Sequence, residues 1–235
     1  MIPAVLMAGG SGTRLRPLSL NRPKPLVEVA GRPMIDHVLA WLADHGCSDV
    51  TIALGHESDG VAEHVIAGWR SVLKLSTVVE PGPLGTVGAV GLLPDASESV
   101  LLVNVDTLTD LDPGLLVEFH RQNEADMTLA TTGMGVPCAY GVVERSEDGA
   151  ITAYREKPDL SIEIAMGISV LGPTALSHLK RSAGTRCDVP DLVRALREAD
   201  ANVVGYTHSG YWFDLGTPAE LERAETHLRG RVQPF

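Results

Sequence analysis

The residues best suited to chemistry lie between positions 9 and 24. Gly9, Gly10 and Gly12, in the stretch GlyGlySerGlyThrArgLeuArgProLeuSer, let the backbone turn sharply and bring N–H groups to an anion. Two cations accompany them: Arg14 inside the loop and Lys24 in ArgProLysProLeu, where Pro23 and Pro25 stiffen the chain around the lysine. Such a loop is a cradle for phosphate. It is not a Walker A loop, because no Gly-Lys-Ser or Gly-Lys-Thr follows. Leu15 stands at the third glycine position of the dinucleotide fingerprint, which disfavours a dinucleotide-dependent oxidoreductase. Further along, Asp106 follows the apolar run 100–105 and Asp214 follows 211–213, so two carboxylates close strand-like segments. An isolated Asp at such a place is more often a turn residue or helix cap.

The elements that must position these groups alternate. Apolar runs of strand length at 4–7, 50–54, 76–79 and 100–105 are interleaved with helical periodicity, first at 34–43. That first helix starts at Pro33 and stops before Gly46, and places Ile35, Val38, Leu39 and Leu42 on one face. Asp112 and Pro113 open a helix over 115–123, followed by a strand at 127–132. Segments 141–144 and 150–155 flank the turn signal SerGluAspGly and read as a hairpin, with another strand at 165–171. A helix over 188–199, strands at 202–206 and 211–215, and a last helix capped by Thr217, Pro218 and Glu220 complete the chain. The pattern predicts a single α/β domain with a predominantly parallel mixed sheet and an antiparallel insertion.

Composition narrows the function. The chain has 235 residues, 44% hydrophobic and 21% charged, which excludes disorder and is enough for one large domain. With 19 basic and 30 acidic residues the net charge is −11, so no nucleic acid partner is expected, and 4% aromatics offer no stacking platform for single strands. Three distant cysteines, Cys47, Cys138 and Cys187, fit a reducing, cytoplasmic setting. The opening apolar run is too short to span a membrane and lacks a basic leader. Eight histidines, His56 and His64 among them, form no HExxH or His/Cys cluster, so zinc is not expected.

The glycine-rich loop followed by ProLysProLeu resembles the signature of sugar-1-phosphate nucleotidyltransferases, the nucleotide-sugar pyrophosphorylases. The resemblance continues in order through ProLeuGlyThrValGlyAla at 83–89, AsnValAsp at 104–106, Tyr140-Gly141, Glu156-Lys157-Pro158, Met166-Gly167-Ile168 and TrpPheAspLeuGlyThrPro at 212–218. Ordered matches across one chain are far more specific than any single motif. The resemblance implies a Rossmann-like three-layer fold and, at 235 residues, no room for the left-handed β-helix or acyltransferase domain of longer relatives. It implies nucleotide contacts from Ala8, Gly9, Gly10, Ser11, Gly12, Thr13, Arg14, Lys24, Glu80, Gly85 and Thr86, with Arg14, Lys24 and Asp106 catalytic. It further implies sugar-phosphate contacts from Gly141, Glu156, Lys157, Met166 and Gly167, and Mg²⁺ on Asp106 and Asp214. Glu156 and Lys157 can reach one ligand only if their strand ends or bulges there, which Pro158 permits.

The resemblance thus implies transfer of a nucleotidyl group from a nucleoside triphosphate to a sugar 1-phosphate, with release of pyrophosphate. The resemblance also allows a homo-oligomer, since self-association is common among such proteins. Glu80 before ProGlyProLeuGlyThr is closer to the mannose- and heptose-phosphate branches, and a carboxylate can accept both N1–H and N2–H₂ of guanine. GTP is therefore favoured over UTP, dTTP or ATP. Val105 and Met166 depart from the family pattern. Met166, where Asn is usual, suggests a less hydroxylated sugar such as a heptose, deoxysugar or cyclitol phosphate. A regulatory subunit that only senses nucleotide-sugars is the rival, opposed by the retention of Arg14, Lys24, Asp106, Lys157 and Asp214.

Overall fold

A computed structural model describes residues 1–10, 12–55, 60–94 and 98–231; Ser11 and His56 lie outside the described residues. The first half contains β1 (Ala4–Met7), β2 (Glu28–Val29), β3 (Arg32–Pro33), α1 (Met34–Asp44), β4 (Asp49–Leu54), α2 (Val61–Trp69), β5 (Lys74–Val79), β6 (Val100–Asn104) and β7 (Thr107–Thr109). The second contains α3 (Pro113–Gln122), β8 (Met127–Pro137), β9 (Val142–Arg145), β10 (Ile151–Arg155), β11 (Asp159–Leu171), α4 (Pro173–Arg181), α5 (Val189–Glu198), β12 (Val203–His208), β13 (Trp212–Asp214) and α6 (Pro218–Arg231).

Strand β1 is apolar at every position, as a strand covered on both faces must be. Ala4 and Leu6 enter one core with Ile35, Leu39 and Leu42 of α1, while Val5 and Met7 enter another with Leu176, Leu179 and Leu192 of α4 and α5. The result is the three-layer arrangement expected from the sequence. The seven-stranded sheet has the order β12-β8-β11-β6-β1-β4-β5, and of these strands β11 alone is antiparallel to its neighbours. From β1 the chain builds outward through β4 to β5 and then returns to β6 on the other side of β1. That reversal opens a crevice outside the carboxyl ends of β1 and β6, where α/β sheets bind ligands.

The antiparallel insertion is present as expected, but its strands are longer than their sequence signal. β8 and β11 stay paired from Thr131 and Ala165 out to Pro137 and Asp159, beyond the segments 127–132 and 165–171. The outer halves are exposed, so they need no apolar run and carry none. The hairpin β9–β10 turns at Ser146–Gly149, where Gly149 takes φ +92°.

A third, smaller core lies beside the crevice. It joins Leu15, Val27, Val29 and Met34 to Leu108, Phe213, Leu215, Leu221 and Ala224. Leu15 is fully buried there, so the residue that breaks the dinucleotide pattern is the peg that anchors the glycine-rich loop against β7, β13 and α6.

Candidate active site

The glycine-rich loop leaves the carboxyl end of β1 and approaches the ends of β4 and β5. A Cβ on Gly9 would lie 2.5 Å from Glu80 Oε1 and 3.1 Å from the Gly55 nitrogen, so any larger residue would have to displace the Glu80 carboxylate. Gly10 is exposed with open space around it, as a backbone donor to a ligand requires. Gly12, at φ +62°, turns the chain into the short 3₁₀ turn Thr13–Leu15. Ser19 Oγ donates to the Gly12 carbonyl (2.6 Å), and the Lys24 stem packs on Gly12, closing the loop on itself. Ala8 is buried and donates its N–H to Ala53 O (2.8 Å); Thr13 is exposed.

Lys24 begins a second 3₁₀ turn, Lys24–Leu26, between the two prolines, and its ammonium pairs with Asp106 Oδ2. Asp106 follows β6, and its carbonyl accepts from Leu215 N–H (2.8 Å). The ribbon β7–β13 pairs Thr107 with Asp214, which sets the two carboxylates side by side. Burial and the Asp106 charge push the Asp214 carboxyl above its usual range, opposed by Lys24 and Arg14. Gly216 explains how Arg14 gets there: a Cβ on it would stand 2.9 Å from Asp214 Oδ1 and 3.0 Å from an Arg14 guanidinium nitrogen. Arg14, Lys24, Asp106 and Asp214, scattered along the sequence, form one cluster at the crevice.

Two carboxylates set together in a half-buried place, with Lys24 and Arg14 beside them, offer oxygens to a further cation. That donor set suits a hard divalent ion, which takes one or two protein oxygens and completes its shell with phosphate and water. Among the described residues no group of three or more His, Cys, Asp or Glu could hold a metal without such help. His64, on α2, is engaged with Asp36, at 3.0 Å from either carboxylate oxygen.

Glu80 is buried, with Oε2 accepting Leu84 N–H (2.9 Å) and Oε1 over Gly9. One of its oxygens is therefore already engaged. Gly85 and Thr86 are docked against residues 187–189. Gly141, Tyr154 and Glu156 form a separate group on the insertion: Gly141 abuts the Tyr154 hydroxyl, which donates to Glu156 Oε2 (2.8 Å). β10 ends at Arg155, as one ligand for Glu156 and Lys157 requires, and Lys157 adopts φ +42° in an exposed position.

Met166 differs from expectation. Its side chain is 1% exposed in the central core, so it cannot line a sugar pocket as a substitute for Asn. Its backbone matters instead. Met166 O accepts from Trp212 Nε1 (2.8 Å) and Thr107 Oγ1 (3.2 Å), and Gly167, at φ +76°, leaves no room for a Cβ beside Asn104 and Thr107. Here the β11–β8 register shifts, and Asn104, Thr107 and Trp212 tie the shift to both aspartates. Asn104 and Trp212 lie within the motifs that carry Asp106 and Asp214, and Thr107 directly follows Asp106; their places within two residues of an aspartate are the sequence signal for this role.

A mostly parallel sheet with a glycine-rich loop after its first strand and acidic residues at the switch point defines a Rossmann-like nucleotide-binding architecture. The chain matches the nucleotidyl transferase family over residues 3–230 and belongs to that family. A mannose-1-phosphate guanylyltransferase of Mycobacterium tuberculosis is 30% identical over 237 positions, covering 99% of this chain and 66% of the relative. The mannose-1-phosphate guanylyltransferase catalytic subunit beta of Drosophila melanogaster is 32% identical over 225 positions, covering 93% and 60%. The chain thus spans about two thirds or less of the length of these curated relatives. HddC from Yersinia pseudotuberculosis, solved with GMP-PN, shares the fold at TM-score 0.75 and 24% identity, over 97% of this chain and 100% of that one. A candidate glucose-1-phosphate thymidylyltransferase of Bacillus anthracis, solved with sucrose, gives TM-score 0.78 at 24% identity, over 100% and 97%. No helix among the described residues is long and apolar enough to cross a membrane.

Proposed function

We propose that the chain transfers a nucleotidyl group from a nucleoside triphosphate to a sugar 1-phosphate. The observation that carries this reading is the cluster of Arg14, Lys24, Asp106 and Asp214 beside the glycine-rich loop. A phosphate oxygen of the sugar 1-phosphate attacks the α-phosphorus, the new P–O bond forms in line, and the α–β bridging bond breaks with the electron pair leaving on pyrophosphate. Such transfers are catalysed by positioning and charge neutralisation rather than covalent chemistry. The N–H groups of the loop hold phosphate oxygens, while Arg14 and Lys24 neutralise charge on the α-phosphate and the leaving group. Asp106 and Asp214 would hold Mg²⁺, which supplies Lewis-acid neutralisation of phosphate oxygens. Lys157 takes the phosphate of the incoming sugar and Glu156 its hydroxyls.

GTP is the proposed nucleotide and a manno-configured hexose or heptose 1-phosphate the proposed acceptor. The names of the mannose-1-phosphate guanylyltransferase relatives support this pair. Glu80 supports it less than expected, because it is buried and its Oε2 already accepts Leu84 N–H, so the carboxylate is not free to take both guanine donors. With the Met166 side chain in the core, its identity no longer argues for a less hydroxylated sugar. The experiment is pyrophosphate release with Mg²⁺ from GTP, UTP, dTTP, CTP and ATP against hexose, heptose and cyclitol 1-phosphates. Release that requires a sugar phosphate is expected, fastest with GTP. No release with any pair, despite nucleotide-sugar binding, would leave the sensing role instead.

A further inference from the structure

We propose that Tyr154 is a positioning residue that fixes the Glu156 carboxylate for the hydroxyls of the incoming sugar. The proposal rests on the reading of Glu156 and Lys157 as contacts of the sugar 1-phosphate. It starts from a gap between two ladders of the insertion. On one side β9 and β10 are paired as far as Val142 and Arg155; on the other β8 and β11 are paired from Pro137 and Asp159. Segments 138–141 and 156–158 run between these ladders, joined by Cys138 N–H donating to Pro158 O (3.0 Å). Gly141, Glu156 and Lys157 all lie in the gap, and Lys157 takes φ +42° there.

Two residues apart on an extended chain, Tyr154 and Glu156 project from the same face. Arg155 between them points the other way and pairs with Glu144 across the hairpin (3.2 Å). The Tyr154 hydroxyl donates to Glu156 Oε2 (2.8 Å). A Cβ on Gly141 would stand 2.2 Å from Tyr154 Oη and 3.2 Å from Glu156 Oε2, so any larger residue at 141 would have to displace the phenol. The hydroxyl is thus wedged between two residues that the proposed reading gives to the sugar.

A glutamate side chain is rich in rotamers, and a ligand that must order it binds less tightly for doing so. Tyr154 orders it before the ligand arrives. Among the described residues Tyr154 is the one hydrogen-bond partner of the Glu156 carboxylate, so Oε1 is left for a ligand. An ionised carboxylate only accepts, so its ligand must bring donors, which the hydroxyls of a sugar supply. The exposed Lys157 ammonium, in no ion pair among the described residues, only donates, which suits the phosphate of the same ligand. The hydrogen bond to Glu156 raises the Tyr154 hydroxyl above its usual range, so the phenol keeps its proton and remains the donor at neutral pH.

The test uses Tyr154→Phe, Glu156→Ala and the double variant. Its readouts are the sugar-phosphate KM in pyrophosphate release, the dissociation constant of the nucleoside triphosphate, and that of whichever of GDP-mannose, UDP-glucose, dTDP-glucose and ADP-glucose the wild type binds tightest. Tyr154 is 63% exposed, so losing its hydroxyl leaves no hole in a core. Tyr154→Phe is expected to raise the sugar-phosphate KM and the nucleotide-sugar dissociation constant about three- to tenfold, the loss of one hydrogen bond, with triphosphate affinity unchanged. In Glu156→Ala, which lacks the carboxylate, adding Tyr154→Phe is expected to change neither value further. Unaltered values in Tyr154→Phe overturn the proposal. So does an equal loss in both backgrounds, the mark of a hydroxyl that supports the hairpin rather than Glu156. A wild type that binds a nucleotide-sugar and shows the expected pattern but releases no pyrophosphate sinks the proposed transfer and leaves Tyr154 in its role. A wild type that binds no nucleotide-sugar and releases no pyrophosphate overturns both.

Discussion

Lys24 and Asp106, 82 positions apart, form an ion pair whose side chains are only 10% and 15% exposed. A charge pair so withdrawn from water is a weak source of net stability, because desolvation offsets much of the attraction. Removing one partner is costly all the same, since it strands the other charge. Here it would strand Asp106 beside Asp214.

Lys24→Ala should therefore lower turnover about 10²–10³-fold, the usual effect of deleting one preorganised electrostatic group. It should also lower the unfolding free energy by about 3 kcal/mol, leaving a folded protein. Pyrophosphate release and a urea titration check both. Full turnover in a folded Lys24→Ala protein would contradict the assignment.

Asp214 makes stability depend on pH in a definite sense. Its folded carboxyl is raised by burial and by Asp106, so between the unfolded and folded values the native state binds more protons than the unfolded one. Stability then falls as pH rises through that window. Asp214→Asn lacks this loss. In chelator it should melt above the wild type at pH 7 and alongside it at pH 3, while turnover is lost. A pH series of thermal melts reads the difference.

Gly85 and Gly82 offer a matched pair. Gly85→Ala meets Cys187 O and Asp188 Oδ1 at a positive φ, whereas Gly82→Ala meets nothing within 4 Å. The first should cost about 1–3 kcal/mol or more and weaken nucleotide binding; the second should change stability by less than about 0.5 kcal/mol. Denaturant midpoints and nucleotide titrations distinguish them.

Leu15 and Leu39 are both fully buried, but in different cores. Leu15→Ala and Leu39→Ala should each cost about 2–5 kcal/mol. Only Leu15→Ala should also raise the KM for nucleotide several-fold, because its core holds the glycine-rich loop. Equal KM values in the two variants would refute that role.

Much of this architecture is legible locally. The helices opened by Pro33, Asp112 and Thr217 begin where their caps predict, and the hairpin turns at the SerGluAspGly signal. Inner strands announce themselves because burial on both faces demands continuous apolar residues. The exposed halves of β8 and β11 and the short strand β7 give no such signal, whereas β13, the partner of β7, falls within the expected strand 211–215. The site divides in the same way: glycines, flanking prolines and strand-end carboxylates mark candidate residues, but not which of them meet.

The sequence by itself therefore determined the alternation of strands and helices, the phosphate-type loop and the set of charged residues available to it. Only the tertiary structure decided that Lys24 reaches Asp106, that Arg14 passes Gly216 to Asp214, and that Thr86 is held by Asp188. It also decided that Leu15 is a peg and that the Met166 side chain belongs to the core. The reason is physical. Turns, caps and periodicity are set by neighbours within a few residues, whereas these contacts depend on strand order and on which faces are buried together. Those are properties of the whole packed chain.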